Sequence, residues 1–255
     1  MRLGHLVAIM SADAPPAIVD PHHHFLDPST PFHAFLKKLG APTYTPEQYA
    51  TEAEGLNIVS SVHVECISEI DGVGETKWVD AIVKEKRCVV GGIVASCNLA
   101  QADAPARLDA ICAASPLVRG IRLIIDYDGP FDGCKTCGTH VATTQEGRGV
   151  DPLRDPAVAP AFEAGFAALA PRGLSYDLQC TPAQLPAAAA LCSRHPGVKV
   201  VIDHLGKPRH LAADGGERDA AELTTWREGM KLMAAQPQAA TAARALAQTA
   251  RQARR

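Results

Sequence analysis

Three features that would place this chain of 255 residues in other classes of protein are missing from its sequence. No apolar stretch approaches the roughly 18 residues that a membrane-spanning helix needs. No basic stripe or long run of like charge occurs, and the formal net charge is −3, which makes nucleic acid a poor partner. No Gly-x-Gly-x-x-Gly motif follows the first predicted strand, so a dinucleotide site is unsupported. These absences favour a protein that acts on a small molecule.

The composition is that of one soluble globular domain, with 47% apolar and 21% charged residues. Residues 1–16 are predicted to be an unstructured leader, because the apolar run Leu6 to Met10 is too short for a signal peptide. Eight cysteines are scattered along the chain, several of them in apolar runs where a thiol behaves as a small hydrophobe. A chain of this length needs no disulfide staples, so we expect a reducing, cytoplasmic location.

Short β-branched runs alternate with longer amphipathic stretches between residues 17 and 236. The predicted strands lie at 17–20, 58–64, 88–95, 118–125, 174–178 and 198–202. The predicted helices lie at 45–55, 75–86, 104–114, 156–170, 182–194 and 220–235. Strand–helix units in a row imply parallel strands with right-handed crossovers. A doubly wound sheet and a barrel both fit this pattern, and the histidines after the first strand favour a barrel with a polar site at the strand ends.

The last 19 residues, 237–255, are nearly all Ala, Gln, Thr and Arg, and no β-rich run occurs among them. Two further strand–helix units would need about 60 residues, at about 30 per unit. We therefore predict a TIM-type (β/α) barrel domain over residues 17–236 that is incomplete, with about six of eight units. The tail, 237–255, is predicted to be helical or disordered.

The strongest chemical signal is a histidine cluster at the end of the first predicted strand. Side chains two residues apart on an extended segment point the same way, so His22 and His24 can converge on one metal ion or one substrate. His204 ends the sixth predicted strand, where it could ligate a metal, polarise a carbonyl or shuttle a proton. The alternative is that each histidine is structural.

A weaker signal lies in the long loop predicted between residues 126 and 151, which could cover the site. Cys134 and Cys137 form a Cys-x-x-Cys pair, with His140 three residues later. One such pair without a second is weak evidence for zinc or redox chemistry, so we interpret both cysteines as loop thiols.

Five motifs, taken in order, resemble amidohydrolase family 2, a group that includes sugar-lactone and pyrone-dicarboxylate lactonases. The motifs lie at residues 20–25, 63–65 with 75–78, 118–122, 177–179 and 203–208. The resemblance implies a metal-dependent-hydrolase-like barrel that opens a lactone ring with an activated water. A zinc-dependent hydrolase or decarboxylase of the wider superfamily is the alternative within enzymes.

The resemblance also implies roles for particular residues. His22, His24 and His204 match the catalytic histidines, which would also be the metal ligands if a metal is used, and both zinc and metal-free catalysis stay open. Substrate binding is predicted for Arg122, and also for Glu65 and Gln179, which sit at strand ends. Arg119 is the weaker candidate, because residues 119 and 122 fall on opposite faces of a strand.

The chain departs from the family pattern at the eighth strand, where members carry an aspartate that activates the attacking water. Asp203 is not expected to replace it, because it precedes His204 and should point to the other face. A third hypothesis follows, in which the chain is a truncated, inactive homologue that acts as a binding or assembly partner. An open barrel exposes two sheet edges, so a homo-oligomer is possible.

Overall fold

The computed structural model describes residues 15–68, 71–127, 150–208 and 217–241, and one parallel sheet organises them. Its strands follow chain order from β1 to β7, and each pairs in parallel with the next. The strands are β1 (Ile18–His23), β2 (Ile58–Val64), β3 (Val90–Ser96), β4 (Val118–Ile124), β5 (Ser175–Gln179), β6 (Val200–Ile202) and β7 (Ala239–Thr241). This is the curled, incomplete TIM-type barrel that the alternating pattern predicts, with a seventh strand added.

Helices connect the strands, as parallel pairing requires. They are α1 (Ala34–Lys38), α2 (Pro46–Glu52), α3 (Gly72–Lys84), α4 (Ala104–Ala114), α5 (Ala159–Ala167), α6 (Leu185–Arg194) and α7 (Glu217–Ala234). Thr45 and Gln48 form the capping box that starts α2. Helix α3 begins three residues before its predicted start, because the Asp71 side chain accepts a hydrogen bond from the Gly74 N–H at 2.8 Å. No described helix has both the length and the apolar character needed to cross a membrane.

The hydrophobic core lies between the sheet and its helices. Phe162 and Phe166 of α5 pack edge-on against Tyr176 of β5, with ring centroids 5.9 and 5.6 Å apart. The Tyr176 hydroxyl donates to the Leu123 carbonyl at 3.1 Å, so its polar end is satisfied inside the core. Gly165 allows α5 to approach the chain closely, since a Cβ there would lie 2.1 Å from the Leu99 carbonyl oxygen.

The prediction that no strand follows residue 236 is wrong. Residues Ala239–Thr241 form β7, which pairs with Val200–Ile202 of β6. Alanine has low β-propensity, so the sequence pattern does not reveal this strand. The segment becomes a strand because it pairs with the edge of β6. The Val200 N–H donates to the Gln238 carbonyl at 3.0 Å at the start of this pairing. Most of the predicted leader, the Cys134, Cys137 and His140 segment, and residues 242–255 lie outside the described residues.

The fully buried side chain of Gln184 bonds both to residues just after β4 and to a residue that precedes α5. Its amide nitrogen donates to the Ile125 carbonyl and to Asp151 Oδ1, both at 2.9 Å. Its amide oxygen accepts from the N–H groups of Tyr127 at 2.9 Å and Thr181 at 3.0 Å. One side chain therefore satisfies four polar groups that would otherwise need other partners.

We expect Gln184→Ala to lower the free energy of unfolding by about 2–4 kcal/mol, because buried polar groups lose their partners. Urea denaturation followed by circular dichroism measures this. Gln48→Ala is the control, since it removes an exposed cap worth about 1 kcal/mol or less. Equal destabilisation by the two variants would contradict the role of Gln184 as the partner of these buried polar groups.

Candidate active site

Polar side chains meet at the carboxyl ends of the strands, where barrel enzymes build their active sites. Five of the strands contribute. The residues are His22 on β1 with His24 just after it, Glu65 after β2, Arg122 on β4, Asp177 and Gln179 on β5, and Asp203 and His204 after β6. All the predicted site residues therefore lie at this edge of the sheet.

His22 and His24 face each other, as alternation along an extended segment predicts. Their Nε2 atoms lie 3.3 Å apart, about the separation of two tetrahedral zinc ligands with bonds of about 2.0–2.1 Å. The His24 Nδ1–H donates to the Val64 carbonyl at 2.7 Å, which leaves the lone pair on Nε2. Burial, together with the nearby Arg122 cation, lowers the pKa of His24 to about 3, so its ring is neutral at physiological pH.

Asp203 lies inside the site, contrary to the prediction that it faces away. Its Oδ1 is 3.6 Å from His22 Nδ1 and its Oδ2 is 3.5 Å from Arg122 Nη1. Within the described residues neither carboxylate oxygen has a hydrogen-bond partner. The prediction assumed an extended chain, but β6 ends at Ile202 and a turn begins at Asp203, so strand alternation no longer applies there.

The structure brings His22, Asp203 and His204 together as a potential cation site. One ligand atom from each residue lies within 4.8 Å of the others. Burial opposes ionisation of Asp203, but His22 and Arg122 outweigh it and hold the pKa of the carboxyl below its usual value. His22 thus belongs both to this cluster and to the pair with His24.

Arg122 is almost wholly buried, whereas Arg119 on the same strand is exposed, as the alternation predicts. The Arg122 Nε donates to Glu65 Oε1 at 2.8 Å, and its Nη2 donates to the Glu65 carbonyl. Its Nη1 lies 3.4 Å from His22 Nε2. Burial disfavours the charged form, but Glu65 and Asp203 outweigh burial and raise the pKa of Arg122. The arginine therefore supplies a permanent positive charge at the centre of the site.

Glu65, predicted to contact substrate, is buried, and its carboxylate already accepts hydrogen bonds from Ser68 and Arg122. The Ser68 N–H donates to Glu65 Oε2 at 3.2 Å. Its geometry is that of a residue that orients Arg122. Gln179, on the same face of β5 as Asp177, is also buried.

Sequence reasoning missed two residues of the site, Asp177 and Asp203. Asp177 pairs with Arg122 in the register of β4 and β5. Burial, with the Asp203 carboxylate nearby, raises the pKa of Asp177 well above its usual value. Alternation could have identified this residue, because Asp177 and Gln179 are two apart and share a face of the strand.

A second polar cluster lies behind the site and is centred on Glu75 of α3. Glu75 Oε1 accepts from the Cys66 N–H at 2.9 Å and lies 3.1 Å from His33 Nε2 and 3.5 Å from His63 Nε2. The Ser68 hydroxyl donates to the other carboxylate oxygen. Burial opposes ionisation of Glu75, but the two imidazoles outweigh it and hold the pKa of its carboxyl well below the usual range. This cluster anchors the loop that carries Glu65.

Comparison with known proteins identifies the family of this chain. The family described as Amidohydrolase matches residues 19–254 of the chain. The chain belongs to the amidohydrolase family and is a hydrolase by class.

Two relatives and one solved structure show how far the likeness extends. A Sinorhizobium fredii protein, "Uncharacterized protein y4mH", is 29% identical over 238 residues, which cover 88% of this chain and 71% of that protein. An L-fucono-1,5-lactonase from Burkholderia ambifaria is 29% identical over 155 residues, 61% of this chain and 42% of the lactonase. An amidohydrolase from Burkholderia multivorans, solved with bound Zn, gives a TM-score of 0.59 at 21% identity over 88% of this chain and 68% of its own, which shows the shared fold.

We expect Glu75→Gln to lower the free energy of unfolding by about 2–4 kcal/mol at neutral pH, because it removes the charge from a buried network. The folded pKa of Glu75 is depressed, so its contribution is present above about pH 4.3, the unfolded value, and is lost as the pH falls below that. The gap between parent and variant should therefore shrink in acid.

Urea denaturation at pH 7 and at pH 3 measures the gap. Glu85→Gln, at the exposed carboxyl end of the same helix, is the matched control and should change little. A gap that stays constant between the two pH values would contradict the ionised state of Glu75.

Proposed function

We propose that this chain opens a lactone ring by adding water to the ester carbonyl at the site of His22, Asp203 and His204. The observation that carries the proposal is the Asp203 carboxylate, which is buried beside two imidazoles and has no hydrogen-bond partner within the described residues. A carboxylate in this state can accept a proton from water. The relative named L-fucono-1,5-lactonase supports the choice of a lactone as substrate.

The residues present fit a zinc ion. Catalytic zinc is held by three protein ligands and keeps a position for water, and His22, Asp203 and His204 offer two nitrogens and one oxygen. The second carboxylate oxygen of Asp203 remains to accept a proton. The zinc bound in the related Burkholderia multivorans structure also supports this choice. When bound, zinc would supply Lewis acidity to the carbonyl and lower the pKa of a water ligand.

The protein's own residues move one proton and hold the charges. Asp203 takes a proton from water as the water oxygen attacks the carbonyl carbon, and returns it to the ring oxygen as the carbon–oxygen bond breaks. The product is a hydroxy acid. Without a metal, the exposed ring of His204 donates a hydrogen bond to the carbonyl oxygen. His22 and Arg122 keep Asp203 ionised before attack.

The charges beside the site favour a neutral, hydroxylated lactone over a dicarboxylate. In the described part of the chain Arg122 is already paired with Glu65 and Asp203. Lys207 is paired with Asp126, whose side chain is fully buried. Two cations that already neutralise buried carboxylates leave little positive charge for a substrate carboxylate. We therefore infer a sugar-type lactone rather than a pyrone dicarboxylate.

We expect Asp203→Asn to lower kcat for a sugar lactone at least 100-fold, because the amide cannot accept the proton. Release of acid from a panel of sugar and pyrone lactones, followed with a pH indicator, measures turnover. Asp109→Asn, at an exposed carboxylate, should keep full activity. Undiminished turnover by Asp203→Asn would rule out its role as the proton carrier.

We expect the chain to bind about one zinc ion, and His22→Ala to weaken that binding about 100-fold or more. Equilibrium dialysis with metal analysis measures both quantities. His195→Ala is the control, since His195 pairs with Glu163 away from the site. Tight zinc binding without turnover of any lactone would favour another hydrolase or a decarboxylase. Turnover that survives chelation would exclude the metal.

A further inference from the structure

The chain leaves β6 through four consecutive residues with left-handed backbone. The φ angles are +47° at His204, +54° at Leu205, +75° at Gly206 and +51° at Lys207. Glycine adopts this conformation freely, whereas the Cβ atoms of the other three oppose it. Such a conformation persists only where surrounding contacts hold it, and it is concentrated at functional sites.

Helix α7 holds the middle of this turn. The Trp226 Nε1–H donates to the Leu205 carbonyl at 2.6 Å. Gly206 lies directly beneath the helix, where a Cβ would approach Met230 Sδ to 3.1 Å and Leu185 Cδ1 to 3.3 Å. The turn is therefore packed as well as hydrogen bonded.

Lys207 holds the end of the turn. Its Nζ forms an ion pair with Asp126, which follows β4 and has a fully buried side chain. The Lys207 N–H donates to the His204 carbonyl at 2.9 Å and closes the turn. The ion pair thus links the segment after β6 to the segment after β4, across the intervening strand β5.

The turn determines where His204 lies. Asp203 and His204 are adjacent in sequence, and an extended backbone would send their side chains to opposite faces. Instead both reach His22, whose ring centroid is 5.4 Å from that of His204. The left-handed conformation is what lets two neighbouring residues serve one site.

We propose that Trp226 and Lys207 are positioning residues, which hold the left-handed turn so that His204 reaches the cation site of His22 and Asp203. Neither residue contacts the ligand in this proposal. The zinc measurement below rests on the proposed cation site, and the resonance measurement does not.

Zinc affinity tests the proposal on folded protein. Trp226→Phe removes the indole N–H, and Lys207→Met removes the ion pair with little change of volume. Each should weaken zinc binding about tenfold, whereas Trp78→Phe and Lys84→Met, at a tryptophan and an ion pair of α3, should not. Lys207→Arg should restore affinity to within about threefold, because it restores the charge.

If Lys207 acts by holding the backbone of the turn, a glycine at an exposed position of the turn should restore zinc affinity that Lys207→Met has lost. A role in general stability would not give this recovery. Leu205 is 58% exposed, and its left-handed φ suits glycine. Adding Leu205→Gly to Lys207→Met should recover at least half of the lost zinc affinity. No recovery would show that the backbone conformation is not what the ion pair maintains.

The imidazole resonance of His204 tests the turn without metal. His204→Gln assigns the ring C–H signal in a carbon–proton spectrum, and Lys207→Met should shift or broaden that signal while Lys84→Met leaves it unchanged. If the parent chain binds no zinc, the proposed cation site is wrong, and the His204 signal alone tests whether Lys207 positions the His204 ring. Unchanged zinc affinity together with an unchanged signal in folded Lys207→Met would overturn the proposal. If Trp226→Phe does not fold, Lys207→Met carries the decision.

Discussion

The buried guanidinium of Arg122 is the charge around which the site is arranged. Removing a cation from water is expensive, and the cost is offset only when carboxylates and hydrogen bonds surround it. Glu65 supplies two such contacts from the end of β2, and Asp203 supplies a third from the end of β6. Strand β4 is thereby tied to segments on both sides of it, and Asp203 is brought next to His22.

The groups that hold Arg122 depend in turn on others farther from the site. Glu65 accepts from the N–H of Ser68, and the hydroxyl of Ser68 donates to Glu75, so the buried cluster on α3 supports the arginine indirectly. On the other side, α7 and Lys207 support the turn that follows Asp203. The proposed cation site therefore rests on contacts from helices as well as on strand ends, which is typical of a precisely placed site on a rigid scaffold.

Reasoning from local pattern succeeded where the chain is extended. Alternation placed His22 and His24 on one side, and it separated buried Arg122 from exposed Arg119. It failed at Asp203, because β6 ends at Ile202 and the chain turns from Asp203 onward, so neighbouring side chains no longer alternate. It failed also at Ala239–Thr241, because small residues with weak β-propensity became a strand only through pairing with β6.

The sequence by itself determined the order of strands and helices, the family, and the types of residue at the strand ends, because periodicity and caps are properties of short segments. The tertiary structure decided which of those residues share one site. Arg122 and Glu65 are 57 positions apart in the chain, and they pair across β3 because the strands of a parallel sheet all place their carboxyl ends at one edge. The direction of Asp203 and His204 was decided by packing of α7 and by the ion pair of Lys207, which no local pattern encodes.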